Sequence, residues 1–81
     1  MNFKKYSVTI RTEKYGKLDE EIIETETLKG DDDSLLAQCE TLVEWQEHYG
    51  DKVKRVLVRD CETKEIVLRR NESGEWIFLA A

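Results

Sequence analysis

Three consecutive aspartates (Asp31, Asp32, Asp33), one histidine (His48) and two cysteines (Cys39, Cys61) are the residues whose types could do chemistry. Neighbouring carboxylates suggest a cation site first. An EF-hand loop starting at Asp31 would need an oxygen ligand at its fifth position, Gly at its sixth and Glu at its twelfth. The chain has Leu35, Leu36 and Leu42 there. A Mg²⁺ site built from one or two carboxylates and a substrate phosphate would want a glycine-rich phosphate loop, and none accompanies these residues. Helix-start chemistry explains the aspartates better. An Asp at the N-cap accepts a hydrogen bond from a free backbone N–H, worth about 1 kcal/mol. Acids in the first turn also suit the helix dipole.

His48 has no second histidine and no paired cysteines around it, so the sequence predicts no zinc site and no cofactor. Cys39 belongs to the apolar face of a helix and His48 to its polar face, which separates them as a nucleophile–base pair. Two cysteines do not make a disulfide framework.

These residues are positioned by a short series of elements. FKKYSVTIRTEK (3–14) alternates, with Tyr6, Val8 and Ile10 on one face and Lys5, Ser7, Thr9 and Arg11 on the other, as a half-buried strand does. YGKLD (15–19) reads as a turn, and EEIIETETL (20–28) as a strand pairing back in a hairpin. Its glutamates suit an edge, where charge discourages pairing with other molecules. A helix is predicted over about 34–49. Leu35, Leu36, Cys39, Leu42, Val43, Trp45 and Tyr49 fall within one half of its wheel, and Gly50 follows as a helix stop. Strands follow at 53–61, with Val56 and Val58 on one face and Val53, Leu57 and Cys61 on the other, at 66–70 and at 75–79. Turns at ETKE (62–65) and NESG (71–74) separate them, the latter with Gly74 left-handed.

The pattern ββαβββ predicts an α+β fold: one antiparallel sheet of about five strands, a helix packed on one face, and a single domain over residues 1–81. The expected strand order is 2-1-3-4-5. Strand 5, with Trp76, Ile77, Phe78 and Leu79, is then a barely guarded apolar edge, which predicts homodimer formation or partner docking there.

The chain has 81 residues, a formal net charge of −5 and no proline. An acidic balance argues against nucleic-acid binding, which rests on neutralising phosphates. No apolar run approaches the roughly 20 residues needed to cross a bilayer. MNFKKYSVTI lacks the apolar core of a signal peptide, and a cytoplasmic location is expected. The basic residues Lys54, Arg55, Arg59, Arg69 and Arg70 could face a single strand of nucleic acid. Cross-strand ion pairs with Asp60, Glu62, Glu65 or the strand-2 glutamates are the expected alternative.

The charge is unevenly placed. Residues 1–17 hold five bases and one acid, residues 18–51 one base and twelve acids, and residues 52–81 seven bases and five acids. On the helix, Asp33, Glu40, Glu44 and Glu47 fall within about 60° of one another, an outward stripe with no lysine or arginine among it. Like charges at i,i+4 each cost a few tenths of a kcal/mol. A local rule broken without compensation marks a place where function is expected.

The sequence therefore points to a small acidic non-enzymatic protein-binding domain, an inhibitor or regulator. It would engage a basic surface of a nucleic-acid-handling protein through Asp33, Glu40, Glu44 and Glu47 together with Glu20, Glu24 and Glu26 of strand 2. Its charge balance resembles that of phage anti-restriction and anti-CRISPR proteins, in composition alone. The alternative is a subunit or regulatory module that associates through Trp76 and Phe78 of strand 5. A small metal-dependent enzyme using Asp31–Asp33 ranks third, and direct nucleic-acid binding by the basic strands last.

Overall fold

The computed structural model describes residues 3–28 and 30–79. In chain order the elements are β1 (Phe3–Lys14), β2 (Lys17–Leu28), α1 (Asp32–His48), β3 (Lys52–Asp60), β4 (Ile66–Arg70) and β5 (Trp76–Phe78). All neighbours pair antiparallel in the order β2-β1-β3-β4-β5, and α1 crosses one face, against β2 and β3. This is the expected α+β arrangement. Among the described residues no helix is long and apolar enough to cross a membrane.

β1 supplies the alternation that organises the rest. Tyr6, Val8 and Ile10 point toward α1 and are buried, and across the sheet Val53, Val56, Val58 and Leu68 join them. From above, Leu35, Cys39 and Val43, spaced at i,i+4, close the core. The first hairpin turns in two residues, not five. Tyr15 (φ 53°) and Gly16 (φ 76°) both lie in the left-handed region, as a two-residue type I′ turn requires. β2 therefore begins at Lys17 and pairs along its whole length, Lys14 with Lys17 and Phe3 with Leu28.

A bulge in β3 corrects the expected faces of that strand. Arg11 pairs with Arg55 but Thr12 with Val53, so Lys54 is an extra residue. The insertion resets the alternation. Val53, expected opposite Val56 and Val58, is buried with them, and Leu57 lies on the other face between Arg55 and Arg59.

Both ends of α1 are closed by local hydrogen bonds. Asp31 is the N-cap, its carboxylate accepting from Ser34 N–H at 3.1 Å, with Asp32 and Asp33 in the first turn. At the other end Gly50 (φ 87°) donates to the Glu47 carbonyl and Asp51 to that of Gln46, a Schellman motif.

Candidate functional site

The outer face of α1 follows from how little of the helix the sheet covers. Leu35, Cys39 and Val43 form a narrow seam, and Leu36 and Leu42 flank it. Asp33, Glu40, Glu44 and Glu47 are all exposed along the outside, as the wheel predicts. Glu47 leans over the β4 side and meets Arg70 at 3.7 Å. Asp33, Glu40 and Glu44 form no ion pair among the described residues.

Trp45 and Tyr49 correct the sequence expectation. Both fall within the apolar half of the wheel, yet Trp45 is 55% and Tyr49 66% exposed. The seam is one residue wide, and both aromatics lie well off its axis. They stack on one another with centroids 6.1 Å apart and planes at 24°. His48 meets both edge-on, at 6.2 Å from Trp45 and 5.6 Å from Tyr49. Glu44, Trp45 and His48 line a shallow hollow at the C-terminal end of the acidic stripe. An exposed aromatic cluster thus adjoins uncompensated carboxylates.

Strand 2 does not extend this surface. Its residues Ile23, Thr25 and Thr27 turn toward the helix, in register with Val8, Tyr6 and Lys4. Thr25 and Gln38 hydrogen-bond side chain to side chain, and Gln46 donates to Glu21 at 2.8 Å. Glu20, Glu24 and Glu26 have the opposite parity and lie on the helix-free face of the sheet, where Glu20 pairs with Arg11 at 3.1 Å. The two acidic groups are separated by the thickness of the sheet and do not form one face.

The expected ion pairs of the basic strands are also absent among the described residues. Lys54 pairs with Glu13 at 3.1 Å and is held protonated by it, its pKa raised. Arg70 pairs with Glu47. Arg55, Arg59 and Arg69 form no ion pair among the described residues, and Arg59 donates to the Lys64 carbonyl at 2.7 Å. Asp60 is turned inward instead, 2% exposed. It accepts from the Glu62 and Thr63 N–H groups and pairs with Lys4 at 2.7 Å. The Lys4 ammonium holds the Asp60 carboxyl below its ordinary range, and Asp60 raises Lys4 in return. Asp60 shares the parity of Val56 and Val58, so the strand turns it to the helix-covered face, where Lys4 of β1 and not a basic residue of β3 or β4 meets it.

β5 is a short edge. It has three residues, with Trp76 half-buried against the core and Phe78 exposed, and Leu79 just beyond it is exposed as well. Among the described residues no group of three or more His, Cys, Asp or Glu comes together to hold a metal. Cys39 is buried, which pushes its thiol up to about 11, and Cys61 and His48 lie beyond opposite ends of β3. No family model, no curated protein and no solved structure matches the chain.

Proposed function

We propose that the chain is a non-enzymatic protein-binding domain, an inhibitor or regulator that engages a basic protein surface through the outer face of α1. A nucleic-acid-handling protein is the concrete form of such a partner, because its groove carries the lysines and arginines this face would match. The observation that carries the reading is Trp45, exposed and stacked on Tyr49 beside Glu44. Exposed Trp and Tyr are the residues most enriched among binding hot spots. A guanidinium or ammonium lying over the face of Trp gains cation–π attraction while Glu44 and Glu40 meet its charge. Carboxylates along the stripe would steer encounter and make binding salt-sensitive. The partner-binding set is thereby reduced to Asp33, Glu40, Glu44, Trp45 and Tyr49, without Glu20, Glu24 and Glu26.

Association through β5 remains the competing proposal. It is supported by the exposure of Phe78 and Leu79 on an open edge. Affinity capture with the purified domain at low and high salt separates the two. Loss of a captured basic partner at high salt and in Glu40→Lys/Glu44→Lys supports the helix face. Retention in that variant, with loss in Phe78→Asp, overturns it.

A further inference from the structure

The helix-free face of the sheet is uncovered and carries most of the arginines. Arg55, Leu57 and Arg59 point outward in alternation along β3, and Arg69 on β4 stands opposite Leu57. Arg55 also faces Arg11 directly across β1. Like charges opposite one another are unfavourable, and Arg55, Arg59 and Arg69 form no ion pair among the described residues, although Arg55 shares a shallow hollow with Glu13, Glu20 and Glu72 at its end of the strand. Between them lie Leu57 and, beside Arg69, Ile77 of β5, both half-buried. The result is a cationic surface with an apolar centre, displaced toward β3 and β4 because Glu20, Glu24 and Glu26 occupy the β2 side.

We propose that this face docks the outer face of α1 from a second copy, joining copies head to tail. Charge complementarity selects the occupant. The acidic stripe and the arginine group lie on opposite sides of one sheet, so each copy offers the surface the next one needs. Dimensions agree: Asp33 to Glu44 spans about 16 Å of helix, and Arg55 to Arg59 spans roughly 13 Å of strand. A helix about 10 Å wide covers two to three strands. The β2 glutamates repel the incoming carboxylates and direct the helix over β3 and β4. Each sheet would then lie between its own helix and its neighbour's. Because the two contacting surfaces differ, the contact is heterologous and gives open chains, not a closed pair. The inference rests on the reading of α1 as a docking face and names a second copy as one partner of it.

Sedimentation at rising concentration tests it with three proteins: wild type, Glu40→Lys/Glu44→Lys, and Arg55→Glu/Arg59→Glu/Arg69→Glu. At about 0.01 M salt, where charges act over roughly 30 Å, the wild-type mass should rise continuously with concentration and return to that of one chain at about 1 M. Each variant alone should stay monomeric. An equimolar mixture of the two should associate again into alternating chains, since the intact helix meets the intact arginines and the reversed helix meets the reversed face, each with opposite charge. A wild type that stays monomeric throughout overturns head-to-tail docking, while the α1 reading is judged by its own capture experiment. Association lost on helix reversal but unchanged by arginine reversal also overturns it, and leaves α1 docking elsewhere. Association unchanged by either reversal overturns it in favour of β5. Urea midpoints of both variants near wild type establish that they are folded.

Discussion

Trp45 and Tyr49 stack on the outside of α1, 6.1 Å apart, while Leu35 on the same helix is 1% exposed. The two kinds of apolar residue should respond oppositely to truncation. Trp45→Ala removes little that holds the fold together and should shift unfolding free energy by no more than about 0.5 kcal/mol. It should weaken partner binding by about 2 kcal/mol or more, roughly 30-fold. Leu35→Ala should cost about 3 kcal/mol of stability. Urea unfolding and titration calorimetry on both variants make the comparison. A Trp45→Ala domain that is much less stable would show the aromatic cluster to be structural.

Within the acidic stripe, Glu40 and Glu44 are expected to act differently from Glu47. Glu40→Lys/Glu44→Lys should abolish partner binding and leave a folded domain. Glu47→Gln gives up a long pair, 3.7 Å, between exposed Glu47 and the mostly covered Arg70, costing less than about 1 kcal/mol of stability, and should bind nearly as well as wild type. Equal losses of affinity in the two variants would place Glu47 in the contact as well.

Lys4 and Asp60 make stability depend on pH in a defined way. Asp60 has its carboxyl held below the ordinary value of 3.8 by the Lys4 ammonium and the Glu62 and Thr63 N–H groups. A depressed carboxylate contributes stability that is fully present above the ordinary value and lost as pH falls through the folded one. Lys4, raised above 10.5 by Asp60, contributes below that value and loses its contribution as pH climbs through the raised one. Asp60→Asn keeps an oxygen for the two N–H groups and removes the charge pair. The gap in urea midpoint between wild type and variant should be widest near neutrality and shrink below pH 3.8. A gap independent of pH would mean that packing, not charge, accounts for the loss.

The turn of the first hairpin offers a stabilising change. Tyr15 occupies a left-handed position with φ 53° and is 93% exposed. Its one aromatic contact among the described residues is Lys14 Nζ at 6.0 Å from the ring. Asn tolerates this conformation better than Tyr and is favoured before Gly in such turns. Tyr15→Asn should raise stability by about 0.5 kcal/mol, read as a higher urea midpoint with unchanged slope.

The order of elements was legible because β1 and α1 have clean periods and each turn carries a glycine or short polar residues. Asp31 as a cap and Gly50 as a stop could be read from residue type and place. Failures came where a single residue shifts parity or where packing width matters. Lys54 as a bulge residue cannot be seen in a pattern that counts by twos, so Val53 was assigned to the wrong face. A wheel gives the direction of Trp45 but not how wide a groove the sheet provides, and the narrow seam at Leu35, Cys39 and Val43 leaves the aromatics outside. The parity of β2 was ambiguous in sequence, with isoleucine on both faces. Pairing of Ile23 with Val8 settles it and sends Glu20, Glu24 and Glu26 to the far side.

Cys39 lies fully buried where α1 meets the sheet, and burial raises its thiol to about 11. A thiol-specific reagent therefore reacts with it no faster than the helix lifts away, whereas the half-buried Cys61 lies outside the core cluster. The labelling rate at Cys39 is a clock for helix detachment. Because one helix both closes the core and presents the acidic face, that single rate measures how often the domain loses the two together.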